Sequence, residues 1–423
     1  MSGEGPESNR ALARWAPAAR RLLSPLGERV TFPRGIPWQA EQARGARLNA
    51  TIGQVTDGAG APLPLPVIDE HLGDLDRRVS LLYAPQAGHP ELRRLWAARQ
   101  RALGGDATAP CSLPFTTHGL THGLSMVADL FVDADTTVVL PTPSWENYEL
   151  VLGMRTGPRF VRWDMLRDGA LNLDGLAAAL AGCRGRTVVV LNVPHNPTGW
   201  CPTPAEADAL RDVALAHSGP TLFLIDDAYL GVVHEPDRER ASLYWRFATA
   251  ADPDRHLVVK VDGATKELLF FPSRTGFLAA SVAPEAEAAW EDKLKGLSRG
   301  TVGSAPGPSQ ALMLEALRRP DRLAAETAER LAVVTRRYRT LRAAIAAMHN
   351  PRLRPLPFYG AYFAVLTLDA SLDAEAVRQS LLAEEVGVIA LPSVNGLRVA
   401  YCSTRDEDLP ELVARVDRAV REA

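Results

Sequence analysis

The chain has 423 residues, 46% of them hydrophobic and 23% charged, with a formal net charge of −3. A chain of this length buries a substantial core and divides into more than one unit, and its near-neutral charge gives no electrostatic case for nucleic acid as a partner. No apolar run approaches a membrane span. Cys111, Cys183, Cys201 and Cys402 are scattered without a CxxC pair or His–Cys ligand spacing, which favours free thiols in a reducing cytoplasm over a structural metal site.

Residues 1–35 read as an N-terminal arm. Arg10, Arg14, Arg20 and Arg21 among alanines raise a targeting peptide, but Glu4 and Glu7 oppose a transit peptide and no continuous apolar core makes a secretory signal. An exposed arm or amphipathic helix fits better. Residues 36–295 form the expected large domain, with 36–75 a candidate to pack against the smaller one. A Gly/Pro-rich loop covers 57–66. Runs at 136–140, 187–191, 221–225 and 257–261 are almost wholly apolar and read as strands, and 121–132, 173–181 and 204–217 read as helices between them. Such strands joined by helices imply a mostly parallel sheet covered on both faces. Residues 296–423 read as an interdomain helix and a small C-terminal α+β domain. Its helical spacing over 311–348 is broken near Pro320, and strand-like runs follow at 360–368, 386–391 and 397–401. Helices are expected at 374–384 and from Asp408. The site belongs between the two domains.

Five segments carry chemistry. Thr117-His118-Gly119-Leu120-Thr121 follows a short strand and opens a helix, where free N–H groups receive phosphate. The same pattern is also common capping. His118 and His122 stand at i, i+4, but no carboxylate or third ligand lies near them in sequence, so no metal is expected. Trp145 follows a strand directly and is either a ligand-facing ring or a core tryptophan. Asn196 sits in the proline-punctuated turn Asn192-Val193-Pro194-His195-Asn196-Pro197, placed to donate to a phenolate-like oxygen. Asp226, at the end of a buried strand, needs a cation, and a protonated pyridine nitrogen would be one. Asp227 beside it is expected to be solvated or in a surface hydrogen bond. Lys266 lies on a turn after the run 257–261, with Arg274 eight positions on (274 − 266). An amine and a guanidinium so placed suit a carbonyl cofactor that bears a phosphate.

The segments Asn196-Pro197-Thr198-Gly199, Asp226-x-Ala228-Tyr229 and Lys266 with Arg274 resemble those of the class I/II aminotransferases, fold-type I enzymes that use pyridoxal 5'-phosphate (PLP). The likeness runs from about residue 33 to the C-terminus. It is closest to the aspartate and aromatic branch through Leu48-Asn49-Ala50-Thr51-Ile52-Gly53, Tyr83-x-Pro85-x-x-Gly88, Trp145-x-Asn147-Tyr148 and Gly396-Leu397-Arg398-Val399-Ala400. The resemblance implies a large α/β domain with a mostly parallel sheet flanked by helices, and a small C-terminal α+β domain. It implies that Lys266 carries PLP as a Schiff base, that Asp226 keeps the pyridine nitrogen protonated, and that Tyr229 and Asn196 bond the ring hydroxyl. Trp145 then stacks on the ring. Gly119, Leu120, Thr121 and Arg274 bind phosphate, with Tyr83 reaching across from a second copy of a homodimer. Arg398 takes the substrate carboxylate, with Gly53, Asn196, Trp145, Arg299 and Tyr359 around the substrate. The implied reaction moves an amino group from an L-amino acid to a 2-oxo acid through pyridoxamine phosphate.

Three departures bear on this reading. Gly263 stands where many relatives have a serine that contacts phosphate. Gly303-Ser304 replaces an expected Ser-Asn, and Tyr359 with Ala361 replace Asn and Gly near the expected substrate pocket. Arg299 is either the ligand of a distal carboxylate or an interface arginine. The altered pocket leaves a second reading open, PLP-dependent elimination, replacement, cyclisation or carbon–carbon bond formation. A PLP-sensing regulator is disfavoured, because the stretch before the recognised region is too short for a helix-turn-helix domain of ordinary size.

Overall fold

The protein is described here by a computed structural model covering residues 7–423 apart from 32 and 34. Its central runs are β-branched and apolar on both alternating sets of positions, so each must be buried on both faces. They assemble with three less obvious segments into a seven-stranded sheet. The strands are β1 (Phe115–Thr117), β2 (Thr137–Thr142), β3 (Arg159–Asp164), β4 (Thr187–Asn192), β5 (Thr221–Asp226), β6 (His256–Gly263) and β7 (Gly276–Ala280), in spatial order β1-β7-β6-β5-β4-β2-β3. The pairs β2–β3, β2–β4, β4–β5 and β5–β6 are parallel, and β7 runs antiparallel to both its neighbours. The edge strand β3, Arg-Phe-Val-Arg-Trp-Asp, is largely solvated, and its polar residues hid it from a search for apolar runs.

The connecting helices begin where the sequence supplies caps. Pro204–Leu215 has a full capping box between Thr203 and Glu206 with a proline in its first turn, and the Asn172 side chain accepts from Gly175 N–H at 3.0 Å ahead of Leu173–Ala181. The register sets Asn192 opposite Asp226 at the carboxyl ends of β4 and β5, the edge at which open α/β sheets bind ligands.

The C-terminal unit is a four-stranded antiparallel sheet in the order Leu353–Pro355, Phe363–Leu368, Gly396–Ala400, Ile389–Leu391. The helices Pro320–Ala346, Ala374–Ala383 and Leu409–Glu422 pack with it. The single strand expected at 386–391 is two. Val386–Gly387 leaves the small sheet to pair in parallel with Leu48–Asn49, and Leu48, Ala50 and Val55 join the core around Leu366, Leu397 and Val416. Gln39 binds Ala390 at both its main-chain N–H and its carbonyl, 2.8 and 3.2 Å. The first part of the expected large domain therefore packs with the C-terminal core. In the arm, Glu7–Trp15, Pro17–Leu22 and Pro25–Arg29 are helical, and Trp15 and Leu22 are exposed. Among the described residues no helix is long and apolar enough to cross a membrane.

Candidate active site

Strand β6 ends in Asp262-Gly263 and turns at once into the short helix Ala264–Glu267, which aims Lys266 into the space at the carboxyl ends of β4 and β5. The Lys266 amine donates to the Gly53 carbonyl at 2.6 Å and, among the described residues, pairs with no carboxylate. Surrounding protein withdraws water from it, which pulls its pKa down to about 8. The Cys402 thiol opposes this shift and the Arg398 and Arg274 cations reinforce it. A lysine so tuned is a nucleophile and a base near neutral pH.

Asp226 is 3% exposed. Its carboxylate accepts from the Tyr148 hydroxyl and from Ala228 N–H at 3.0 Å, and among the described residues no cation joins it. Burial pushes its pKa up to about 6, held back by those two hydrogen bonds. Asn192 braces this corner, donating from Nδ2 to the Asp226 carbonyl at 2.8 Å and accepting the Asn196 N–H at 2.8 Å. Tyr229 lies buried against Tyr362 and Phe363, and burial raises its phenol, so it stays protonated across the ordinary pH range.

Arg398, 2% exposed, donates from Nη2 to the Thr51 carbonyl at 2.7 Å and approaches Asn196 Oδ1 at 3.4 Å, but its Nε has no partner among the described residues. Burial pulls it down to about 10, still cationic at neutral pH. On the opposite wall, Arg274 sits in the left-handed region at φ 48° beside Gly119, where a β-carbon would strike its Nη2 at 2.4 Å. The Gly119–Phe131 helix starts beside this arginine with no side-chain cap among the described residues.

These groups enclose a cavity of about 180 Å³, lined by Leu120, Thr121, Trp145, Tyr148, Asn196, Asp226, Tyr229, Thr265, Lys266 and Arg274 among others. A second cavity of about 600 Å³ shares Trp145, Asn196, Tyr229 and Lys266 with it and adds Gly53, Arg398, Phe363 and residues of the helix Ile36–Gln42.

The structure therefore brings Lys266, Asp226, Tyr229, Asn196, Trp145, Gly119, Leu120, Thr121, Arg274, Arg398 and Gly53 together. Three expected site residues stand apart in this chain. Tyr83 is wholly exposed, and Arg299 is exposed on the Glu287–Thr301 helix. Tyr359 lines neither cavity. Its ring lies 3.7 Å from the Arg238 guanidinium and packs into the core behind β4. Asp227, expected to be solvated, is 1% exposed and 3.7 Å from the Lys260 amine. The chain alternates sides at a strand end, so the residue after Asp226 enters the layer behind the sheet. His122 makes contact with Thr301 Oγ1 at 3.1 Å, and burial lowers it to about 4. Among the described residues no group of three metal-type ligands exists.

Sequence reasoning gave no role to Tyr148, Asn192 or Thr265, nor to Ile36, Pro37 and Ala40, which wall the larger cavity. Tyr148 stood inside a quoted motif, and its need for a buried partner was the available signal.

The donor set fits PLP. Among the described residues a buried carboxylate has no cation, a lysine with a lowered pKa lines the same cavity, and a guanidinium lies there beside a helix start. Buried Thr265 Oγ1 and Arg398 Nε have no hydrogen-bond partner among the described residues. The family model for aminotransferase class I and II matches residues 47–416. The probable N-succinyldiaminopimelate aminotransferase of Mycobacterium tuberculosis is 30% identical over 159 residues, 37% of this chain and 39% of that protein. Capreomycidine synthase of Streptomyces vinaceus is 33% identical over 153 residues, 36% of each. The chain thus aligns with about two-fifths of the length of these curated relatives. The aminotransferase structure from Anaerococcus prevotii superposes with a TM-score of 0.83 at 21% identity, covering 94% of this chain and 99% of that one, which supports the fold. With cofactor-type side chains converging at the end of a parallel sheet and the model matching most of the sequence, the chain belongs to the aminotransferase class I and II family.

Proposed function

We propose that this protein transfers an amino group from an L-amino acid to a 2-oxo acid, using PLP held by Lys266. The observation that carries the reading is that one cavity holds Asp226, a carboxylate without a cation among the described residues, and Lys266, an amine without a carboxylate among them. Members of the family use PLP. When bound, PLP supplies a carbonyl carbon for an amine and a ring that takes up negative charge from the substrate Cα.

The chain's own residues do the rest. Arg398 holds the substrate carboxylate through guanidinium N–H groups, its free Nε included. Lys266, with its pKa near 8, would take the Cα proton and return it two atoms along, at the cofactor's former carbonyl carbon. Asp226, fixed by Tyr148 and Ala228, would keep a proton on the ring nitrogen. The Tyr229 phenol would donate to the ring oxygen, and Trp145 would help exclude water. A homodimer completes the site, with Tyr83 and Arg299 entering from the partner. Leu72, Leu81 and Leu82 are exposed along with Tyr83 and supply an apolar surface for that contact.

The test is an absorbance scan of PLP-loaded protein against an amino-acid panel, with mass analysis of the products. Conversion of the cofactor to its amino form, reversed by a 2-oxo acid, supports the transferase and names the donor. Loss of a β- or γ-substituent or ring formation with PLP retained supports the second reading, elimination, replacement or cyclisation. The partial likeness to capreomycidine synthase favours it.

A further inference from the structure

The residues ahead of the strand Phe363–Leu368 form a strap laid across the loops that follow β4 and β5. The Tyr359 and Gly360 N–H groups both donate to the Gly199 carbonyl, at 2.7 and 2.9 Å, and Ala361 N–H donates to the Val232 carbonyl at 2.9 Å. The strap then turns through Ala361 at φ 54°, the left-handed region in which an L side chain is strained. The resemblance leads to a glycine at this position, so this chain holds a conformation that its own residue resists.

What holds it is a hydrogen-bond chain ending on the Ala361 carbonyl. Tyr401 donates to that oxygen from Oη at 2.9 Å, and His234 Nε2 lies 3.2 Å from the oxygen and 2.9 Å from Tyr401 Oη. Burial lowers the His234 pKa to about 4, so the ring is neutral and carries one N–H. An unprotonated Nε2 would face the carbonyl lone pair to lone pair. The N–H therefore sits on Nε2, and Nδ1 accepts from Thr335 Oγ1 at 2.9 Å. The His234 ring also stacks on Tyr338, with centroids 4.7 Å apart. Thr335 and Tyr338 belong to the Pro320–Ala346 helix, while His234 follows Tyr229 by five residues (234 − 229) and Tyr401 follows Arg398 by three (401 − 398). Distant parts of the chain converge on one carbonyl.

The next two side chains reach the site. Tyr362 Oη donates to the Lys266 carbonyl at 3.3 Å, and the Tyr362 and Phe363 rings meet Tyr229 edge-on at 5.3 and 5.7 Å. The Arg398 guanidinium lies over the Phe363 ring, 4.3 Å from its centroid.

We propose that His234 and Tyr401 are positioning residues for the substrate carboxylate: by fixing the Ala361 carbonyl they seat Phe363 under Arg398 and hold its guanidinium at one angle. This rests on the role given to Arg398 above.

The experiment measures calorimetric binding of 3-phenylpropionate, a carboxylate with no amine, to cofactor-free and to PLP-loaded protein. Its apolar tail suits a cavity walled by Ile36, Pro37 and Phe363. PLP titration and urea unfolding run beside it, and Arg398→Met, the reference, abolishes carboxylate binding. Tyr401→Phe keeps the ring and removes one donor, and it raises the Kd for the carboxylate about three- to tenfold. The Kd for PLP changes by less than about twofold. Adding Ala361→Gly to Tyr401→Phe recovers part of the loss, because glycine keeps the left-handed turn unaided. A merely stabilising role moves the unfolding midpoint and leaves the carboxylate Kd alone. If Tyr401→Phe does not fold, His234→Phe, which keeps the stack on Tyr338, carries the same expectation. An unchanged carboxylate Kd in the folded variant overturns the proposal, as does an equal loss for PLP. Wild-type protein that binds no 3-phenylpropionate, or binds it as well after Arg398→Met, removes the role of Arg398 and the proposal with it. A wild type that forms no Lys266-dependent chromophore with PLP sinks the cofactor reading alone, since the cofactor-free arm still reads the carboxylate.

Discussion

Lys260 and Lys266 lie six residues apart (266 − 260), one on β6 and the other on the turn that follows, and protein surrounds both amines. Lys260 donates to Gln100 Oε1 at 2.6 Å, bonds the Asp262 carboxylate and stands 3.7 Å from Asp227. Burial pulls its pKa down, but Asp262, Asp227 and Glu267 overcome that and leave it raised. Lys266 meets a carbonyl oxygen and two arginines, and burial lowers it to about 8. The same residue type on one stretch of chain is thus a fixed cation in the first place and a reactive amine in the second. Burial alone does not make a lysine reactive; withholding the carboxylate does.

The two lysines separate cleanly by substitution. Lys266→Ala removes the base and the point of cofactor attachment, so activity falls by about 10²–10⁴-fold or more. The Lys-dependent absorbance of added PLP vanishes, while the unfolding midpoint of the cofactor-free protein does not fall. An unchanged cofactor spectrum would sink the assignment. Lys260→Met does the reverse. It strands Asp262 in the core without its cation, at a cost of about 3–5 kcal/mol, and the folded fraction keeps the chromophore. Urea unfolding beside an absorbance scan decides it. A Lys260→Met protein as stable as wild type would show that the carboxylates do not need this lysine.

A smaller effect tests the pairing of β6 with β7, Gly263 opposite Gly276, that brings the turn to Arg274. Gly263→Ser forces a β-carbon against main chain and destabilises the protein by about 1–3 kcal/mol, the usual range for overpacking. It also weakens PLP binding, although it adds the hydroxyl that the resemblance leads one to expect there. Tighter binding without loss of stability would mean that β6 and β7 yield more easily than their spacing implies.

Much of this was legible in the sequence for a physical reason. Asn196, Asp226, Tyr229, Lys266 and Arg274 sit at the ends of apolar runs, so strand periodicity places each of them at one edge of one sheet. The short distance from Lys266 to Arg274 encodes the β6–β7 turn. Tyr359 failed because position along the chain does not reveal side-chain direction. It follows Phe358, which is buried in the C-terminal core, and its own ring turns to Arg238. Asp227 failed because its partner Lys260 lies 33 residues on (260 − 227), inside a run read as simply apolar. Ile36–Gln42 was missed as a pocket wall because its placement depends on distant contacts, Gln39 with Ala390 and Ile36 N–H with Glu146 at 2.7 Å.

The last expected effect, smallest at pH 5, concerns the proton held behind the site. Asp227, Asp262 and Glu267 are three carboxyls grouped with two cations, Lys260 and Arg99. Burial pushes Asp227 up to about 8, with Lys260 and the Ser242 hydroxyl pulling the other way, and raises Glu267 as well. A carboxyl whose folded pKa lies above its unfolded value binds more protons in the folded state, so its contribution is present at low pH and is lost as pH climbs from about 4 toward 8. Asp227→Asn keeps an acceptor for Ser242 and removes that titration. Stability at pH 5 changes by less than about 1 kcal/mol, and the decline between pH 5 and 8 becomes shallower by up to about 1.4 kcal/mol per pH unit. Lys266, lowered in the folded state, contributes the opposite slope above pH 8, where stability rises as the unfolded chain gives up its extra proton. Urea titrations of the cofactor-free proteins across pH 5–10 resolve the two windows. Parallel curves for wild type and Asp227→Asn below pH 8 would place the extra proton on Glu267 rather than Asp227, moving it from the residue beside Asp226 to the residue beside Lys266.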